Sequence, residues 1–223
     1  MRRSPIPLKK IYQKLLARFG PQHWWPGNSP FEIVVGAILT QNTNWANVEK
    51  AITNLKKNRV LTPQALYHMP LSRLSRLVKP SGFFNVKAKR LKGFMDFLFQ
   101  EYQGRLPQMD RESLNTLREK ILSVNGIGPE TADSILLYAL NKPIFVVDAY
   151  TKRVFLRHHW VRNDSDYHSL QKIFMDNLKH DVSMFNEYHA LIVRVAKEFC
   201  RAKPICEGCP LESFHIKRKH LYK

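Results

Sequence analysis

Acidic residues are scarce in this chain. Its 223 residues include 36 Lys and Arg but only 18 Asp and Glu, which gives a formal net charge of +18, and no acid precedes Glu32. This imbalance favours a polyanionic partner, with nucleic acid ahead of an anionic membrane surface, although basic residues can also serve solubility alone. Long hydrophobic runs are lacking as well, and none approaches the roughly 18 residues of a membrane span. The sequence therefore predicts a soluble protein with no membrane partner.

Cysteine is rare and clustered. The three cysteines, Cys200, Cys206 and Cys209, lie within ten residues of one another. An odd number at this spacing argues against a disulfide framework and indicates a metal site in a reducing compartment. A targeting peptide is not indicated either, because the basic N-terminus has no apolar core and no small-residue cleavage site. We therefore expect a cytoplasmic protein.

Glycine-rich linkers and alternating strand patterns are absent, whereas apolar residues recur at helical spacing almost throughout the sequence. The pattern predicts an all-α fold of about ten helices. The predicted helices are Pro7–Phe19, Phe31–Gln41, Asn44–Lys57, a short one after Thr62-Pro63, Leu71–Val78, Val86–Tyr102, Arg111–Leu122, one after Pro129, Ala149–Leu156, Ser169–Leu178 and Val182–Phe199. Residues 30–141 are expected to form one helical lobe, residues 1–29 and 142–199 a second, and residues 200–223 a cysteine-rich loop with a basic tail.

A glycine turn and an isolated carboxylate stand close together in the middle of the chain. Asn125-Gly126-Ile127-Gly128 separates two predicted helices, and bare glycines there allow the backbone and the N–H groups of the next helix to approach a phosphate. Such a turn also needs glycine for purely steric reasons, so alone it is a weak signal. Twenty residues later, Val146-Val147-Asp148 places an acid at the edge of an apolar run. Asp148 is either a catalytic group or the N-cap of the helix that begins at Ala149.

These motifs resemble, in their order along the chain, those of the endonuclease III superfamily of helix-hairpin-helix DNA glycosylases. The resemblance covers most of the chain and also rests on Ser29–Glu32, Ile38–Thr43, Ser81–Asn85 and Lys87-Ala88. It implies a two-lobed all-α fold that binds double-stranded DNA, and we expect a monomer of prokaryotic, nucleoid-associated type.

The resemblance also implies roles for individual residues. Asp148 would be the catalytic carboxylate, Gly126 and Gly128 would hold a phosphate, often with a monovalent cation, and Gln41 would fill the gap left by an extruded base. The remaining residues expected to contact DNA are Asn42, Gly82, Phe83, Asn85, Lys87 and Thr131.

One departure from the family pattern concerns catalysis. Bifunctional members have a Lys two residues after the second hairpin glycine, which attacks the sugar and forms an imine before the strand is cut. This sequence has Glu130 there, and a carboxylate cannot form an imine. We therefore place Glu130 in the catalytic site and expect a monofunctional enzyme that leaves an abasic site. Glu130 can also simply favour the helix N-terminus by its charge.

Adjacent tryptophans in a proline-rich loop suggest the base pocket. Trp24 and Trp25, with Trp45, can stack on a flipped base, and cationic bases especially. This resembles the branch of 3-methyladenine DNA glycosylase III, which implies an N-alkylated purine substrate. The rings can instead wedge the N-terminal helix against the core. Other readings are a glycosylase for oxidised pyrimidines or mispaired adenine, the latter usually with an extra C-terminal domain that this length excludes, or a non-catalytic DNA-binding module.

The cysteine run is the remaining signal. Cys200-x5-Cys206-x2-Cys209-x5-His215 is similar to the four-cysteine pattern that holds a [4Fe–4S] cluster in many relatives, with His215 in place of the fourth cysteine. The resemblance favours a cluster. Three thiolates and an imidazole also suit zinc, and an empty site is the third alternative.

Overall fold

The computed structural model describes residues 6–214 and contains no β-strand in that range, which confirms the all-α prediction. None of the helices described is long and apolar enough to span a bilayer. The α-helices are α1 (Leu8–Phe19), α2 (Pro30–Leu39), α3 (Trp45–Lys57), α4 (Pro63–His68), α5 (Leu71–Leu77), α6 (Phe84–Tyr102), α7 (Leu114–Leu122), α8 (Pro129–Ser134), α9 (Ala149–Arg157), α10 (Tyr167–Asn177) and α11 (Val182–Glu198). A π-helical turn, Ile135–Ala139, continues α8.

Side-chain caps determine where most of these helices begin. A side-chain oxygen accepts a hydrogen bond from the backbone N–H three residues later at Ser29, Asn44, Thr62, Ser113, Asp148, Asp166 and Asp181. The largest departure from the predicted bounds is α7, which begins at Leu114 rather than Arg111. The cause is local, because Ser113 caps α7 and the preceding Leu106–Arg111 forms a 3-10 helix.

The described residues divide into two compact units. The first, Trp25–Pro143, contains α2 to α8. It is organised around α2, which packs against α3, α6, α8 and the π-helical turn. Helix α2 can be buried on nearly all sides because its sequence, PFEIVVGAIL, has one charged residue, and that residue, Glu32, forms an ion pair of 2.7 Å with Lys56.

The second unit combines residues 6–24 with residues 144–214 and contains α1, α9, α10 and α11. Helix α11 packs against α1 and α9. Aromatic rings fill the interior, where Phe145 stacks on Phe174 with centroids 3.7 Å apart and Phe185 and Tyr188 approach edge-on. The units therefore divide after Trp24 and after Pro143, and the cysteines lie in the second unit.

Candidate active site

The hairpin between α7 and α8 uses its two glycines differently. Gly126 has a φ of +85°, and a Cβ there would lie 2.6 Å from Nε of Arg90, so the fold itself requires glycine. Gly128 has an ordinary φ of −90°, and no described atom lies within 4 Å of the position a Cβ would take. Its bare backbone faces open space at the start of α8, which suits the approach of a phosphate.

Gln41 lies against this hairpin. Its Nε2 donates to the carbonyl of Gly126 at 3.2 Å and to Oγ1 of Thr131 at 2.9 Å, and its Oε1 accepts a hydrogen bond from the Arg90 guanidinium. Gln41, which is expected to enter the duplex, is thus hydrogen-bonded directly to Gly126 and Thr131, which are expected to bind DNA. Asn42, the next residue, is exposed and has a φ of +53°, so the chain turns sharply at the tip of this loop.

A second loop presents an apolar ring to solvent. Gly82 has a φ of +70° and Phe83 a φ of +44°, and Phe83 is 70% exposed just before α6 begins. A left-handed phenylalanine costs conformational energy and is found where the surroundings hold it in place. Below it, Asn85 is tied to α5 because its Oδ1 accepts a hydrogen bond from the Ser75 hydroxyl.

Lys87 is buried under this loop and is bonded to its backbone. The expectation that Lys87 contacts DNA was therefore wrong. Only 1% of Lys87 is exposed, and its ammonium donates to the carbonyl of Ser81. Burial, with the nearby positive charge of Arg90, lowers the pKa of Lys87 from 10.5 to about 8. A helical pattern cannot distinguish Lys87 from its exposed neighbour Lys89, because the difference depends on the loop at Ser81 that covers Lys87.

The tryptophan cluster has a partner that sequence reasoning missed. Trp25 meets Trp45 edge-on with centroids 5.3 Å apart and lies 5.0 Å from the ring of Tyr138. A Cβ on Gly36 would come within 3.3 Å of Trp45, so this glycine in α2 makes room for the rings. Trp24, Trp25 and Trp45 are all half-buried, and Trp45 donates from Nε1 to Glu49 at 3.0 Å.

Asp148 caps α9 with one of its two carboxylate oxygens. Oδ1 accepts from the backbone N–H of Thr151 at 2.7 Å and from its hydroxyl at 2.9 Å, which confirms the N-cap alternative. Oδ2 takes no part in the cap and lies 3.8 Å from Nε2 of His189. The side chain of Asp148 is 13% exposed. The cap therefore fixes the direction of the carboxylate and leaves its second oxygen for other chemistry.

The apolar segment before Asp148 crosses the core without a strand partner. Side chains hydrogen-bond to its buried backbone instead: Gln171 donates to the carbonyl of Phe145 at 2.7 Å, and Nδ1 of His189 bonds to the carbonyl of Val146 at 3.0 Å. Such partners are what a buried backbone requires. They hold the segment, and with it the start of α9, in one position.

The two acids of α8 have different surroundings. Glu130 is exposed in the first turn, two residues after Gly128. Asp133 is fully buried and accepts two hydrogen bonds from Arg118, at 2.7 and 3.0 Å, which join α8 to α7. The sequence pattern does not distinguish the buried Asp133 from the exposed Glu130. The distinction depends on which face of the six-residue helix α8 is covered by other elements.

The three cysteines line one cavity of about 180 Å³ together with Arg157 and His158. Within residues 6–214, which include all three, no disulfide forms and no three side chains are close enough to bind a single metal ion. Arg157 approaches Cys200 Sγ at 3.4 Å, and burial raises the pKa of the Cys209 thiol. Thiols grouped around one cavity beside a cation suit an anionic thiolate-bound group. His215, the expected fourth ligand, lies outside the described residues.

Known proteins resemble this chain in sequence and in fold. The family model for HhH-GPD superfamily base excision DNA repair proteins matches residues 35–180. A Methanocaldococcus jannaschii protein provisionally named a DNA repair glycosylase is 47% identical over 211 residues, which cover 94% of this chain and 96% of that protein.

Solved structures agree with this assignment. The H. pylori 3-methyladenine DNA glycosylase, solved bound to 1,N6-ethenoadenine, is 31% identical and superposes with a TM-score of 0.74 over 86% of this chain and 95% of its own. A non-covalent endonuclease III–DNA complex, at 22% identity, has the same fold with a TM-score of 0.83 over 96% of both chains. The chain therefore belongs to the HhH-GPD superfamily of base excision DNA repair proteins, within the endonuclease III group of helix-hairpin-helix DNA glycosylases.

Proposed function

We propose that this DNA glycosylase is monofunctional: it hydrolyses the N-glycosidic bond of a flipped-out N-alkylated purine, such as 3-methyladenine, and leaves an abasic site. The observation that carries the proposal is Glu130, exposed in the first turn of α8 where bifunctional relatives have their lysine. Without an amine at this position no imine forms, so the strand stays intact.

Asp148 is the catalytic residue in this proposal. As the glycosidic bond breaks, positive charge builds on the sugar, and a carboxylate stabilises that oxocarbenium-like state and can activate water. Oδ1 is held by Thr151, so Oδ2 is presented in a fixed direction. Fixed charges contribute most when they need no reorganisation during the reaction.

DNA is bound in this proposal through the hairpin and the two loops beside it. The N–H groups at Gly126, Gly128 and Thr131 hold a backbone phosphate, with a monovalent cation at the same turn. Gln41 and the exposed ring of Phe83 enter the duplex, and Asn42, Gly82 and Asn85 form the loop surfaces around them. A single chain supplies all of these residues, and in this proposal the enzyme acts as a monomer.

In this proposal, the tryptophans Trp24, Trp25 and Trp45 determine which base is accepted. A base carrying a positive charge is attracted to the face of an aromatic ring, and tryptophan is the best ring for this. Trp25 and Trp45 are already packed around Gly36 and Tyr138, so little ordering is needed on binding. Trp24 is assigned to base recognition by the resemblance alone. The likeness to a 3-methyladenine glycosylase solved with a modified adenine supports this assignment.

A [4Fe–4S] cluster is the proposed cofactor. Cys200, Cys206 and Cys209 would hold it, with His215 as the fourth ligand and the Arg157 guanidinium beside it. When bound, the cluster would hold the cysteine loop together, with no part in bond cleavage. Iron analysis with a visible absorption spectrum tests this. Colourless protein that contains zinc, or no metal, would refute it.

The test of the function is base release from duplexes that carry alkylated, oxidised or mispaired bases. We expect release of methylated purines, no release by Asp148→Asn, and strand breaks only after alkali. Borohydride should trap no enzyme–DNA complex, and Glu130→Gln, which adds no nucleophile, should behave like wild type in this respect. Efficient trapping would refute the monofunctional mechanism. Preference for oxidised or mispaired bases would refute the substrate, and binding without any release would favour a non-catalytic module.

A further inference from the structure

The buried histidine behind Asp148 has a geometry that a purely structural side chain does not need. His189 lies on α11, is 4% exposed, and places Nδ1 3.0 Å from the carbonyl of Val146 and Nε2 3.8 Å from Oδ2 of Asp148. We propose that His189 is a positioning residue for the base-release reaction, which holds Asp148 ionised and oriented when its ring is protonated. The inference rests on the proposed role of Asp148 as catalyst.

The hydrogen-bond partner of Nδ1 determines which atom can titrate. A backbone carbonyl only accepts, so Nδ1 must carry a hydrogen in order to bond to Val146. The proton that His189 gains or loses is therefore the one on Nε2, the atom that faces Asp148. A neutral ring would turn a lone pair toward the carboxylate, whereas a protonated ring presents an N–H and a positive charge.

The distance indicates how the two groups interact. At 3.8 Å, Nε2 and Oδ2 are too far apart for a direct hydrogen bond, and they form an ion pair only when the ring of His189 is protonated. Both side chains are largely buried, and charges interact more strongly there than at a solvated surface. The protonated histidine therefore favours the ionised carboxylate that the proposed mechanism requires.

The ionisable groups on the elements packed around His189 include an arginine and three tyrosines. On α9, Arg153 donates to two backbone carbonyls at the end of α11. On α10, the hydroxyl of Tyr167 is the acceptor for the N–H of Val147 at 3.5 Å. Burial raises the pKa of Tyr12 on α1 and of Tyr188, the neighbour of His189, so both phenols stay neutral through the range in which a histidine titrates.

Two variants separate positioning from structural support. His189→Asn places an amide N–H where Nδ1 was and keeps a donor for Val146, but removes the group that faces Asp148. His189→Gln places an uncharged amide near the position of Nε2. Each is assayed for single-turnover base release from an alkylated duplex across neutral pH, together with duplex affinity and thermal midpoint.

We expect His189→Asn to release base roughly ten- to a hundredfold more slowly, the range that loss of one interaction with a charged group produces, with unchanged DNA affinity. The wild-type rate should change with pH across the neutral range, and this change should be absent in both variants. His189→Gln should lie between wild type and His189→Asn. If either variant folds and keeps the wild-type rate, or loses rate but keeps the wild-type pH profile, the inference is wrong.

The same assay distinguishes a failure of the inference about His189 from a failure of the proposed function. If wild type releases base and Asp148→Asn does not, the function stands whatever His189 does. If wild type releases no base from any duplex, the proposed function fails and the role of His189 fails with it.

Discussion

Replacing Lys87 by methionine tests whether the loop that carries Phe83 rests on a buried charge. Methionine keeps most of the aliphatic stem and removes the ammonium. In the folded protein the pKa of Lys87 is about 8, against 10.5 for an ordinary lysine. The difference corresponds to about 3 kcal/mol that the folded state loses by holding a buried ammonium at neutral pH.

The sign of the pH dependence follows from the direction of the shift. Because folding lowers the pKa, the unfolded chain holds more protons than the folded one between about pH 8 and 10.5. The contribution of Lys87 to stability should therefore rise through this window by about 3 kcal/mol. At neutral pH, Lys87→Met removes the buried charge but leaves the Ser81 carbonyl without its donor, which costs about 1–3 kcal/mol. We expect these two effects nearly to cancel.

The measurement is the free energy of unfolding by urea, for wild type and variant, at neutral pH and near pH 10. All other titrating groups are common to both proteins, so the difference between them isolates Lys87. The variant should be about as stable as wild type at neutral pH and should fall behind it as the pH rises. Lys89→Met, at an exposed position of the same helix, should show no such change. A constant difference between wild type and Lys87→Met would refute the argument.

Three further predictions follow from the site. Gly128→Ala should keep the thermal midpoint of the wild type but weaken duplex affinity in a fluorescence titration. Gly126→Ala should instead destabilise the fold by about 2 kcal/mol, because its Cβ would overlap Arg90. Equal thermal midpoints for the two variants would contradict this prediction. Asp133→Asn leaves the charge of Arg118 poorly compensated and should lower the free energy of unfolding, measured with urea, by about 3–5 kcal/mol. A decrease under 1 kcal/mol, about the value of a surface ion pair, would show that the fold does not need this pair. Cys206→Ser should lower bound iron and the thermal midpoint together, and unchanged iron would remove it from the ligand set.

The helices were predictable because their signals are local. Predicted and observed bounds agree to within a residue or two for α1, α3, α9 and α11, where a cap or a proline marks one end and an apolar stripe marks the buried face. The hairpin was equally visible, since its glycines and proline act on the residues next to them. Local chemistry of this kind needs no knowledge of the partner elements.

Lys87 and His189 were not predictable for the opposite reason. Whether a lysine on a basic helix face is solvated or buried depends on the loop that closes over it, and here Ser81 supplies the carbonyl that makes burial tolerable. His189 is 41 residues from Asp148, and nothing in the sequence links this histidine to that acid. Only the packing of α11 against α9 brings the two together. Tyr138 was missed in the same way, as an apolar position in a helix that proves to lie against Trp25.

The two alternatives for Asp148, helix cap and catalytic acid, are not exclusive. A cap needs one oxygen that accepts from the backbone, and here Oδ1 does this while Thr151 adds its hydroxyl. Catalysis needs a charged oxygen held in one direction. An uncapped carboxylate could rotate, and it would lose part of its effect each time it had to be reoriented toward the reacting sugar. The cap therefore serves the proposed reaction, because it fixes the side chain through one oxygen and leaves the other, next to His189, to act on the substrate.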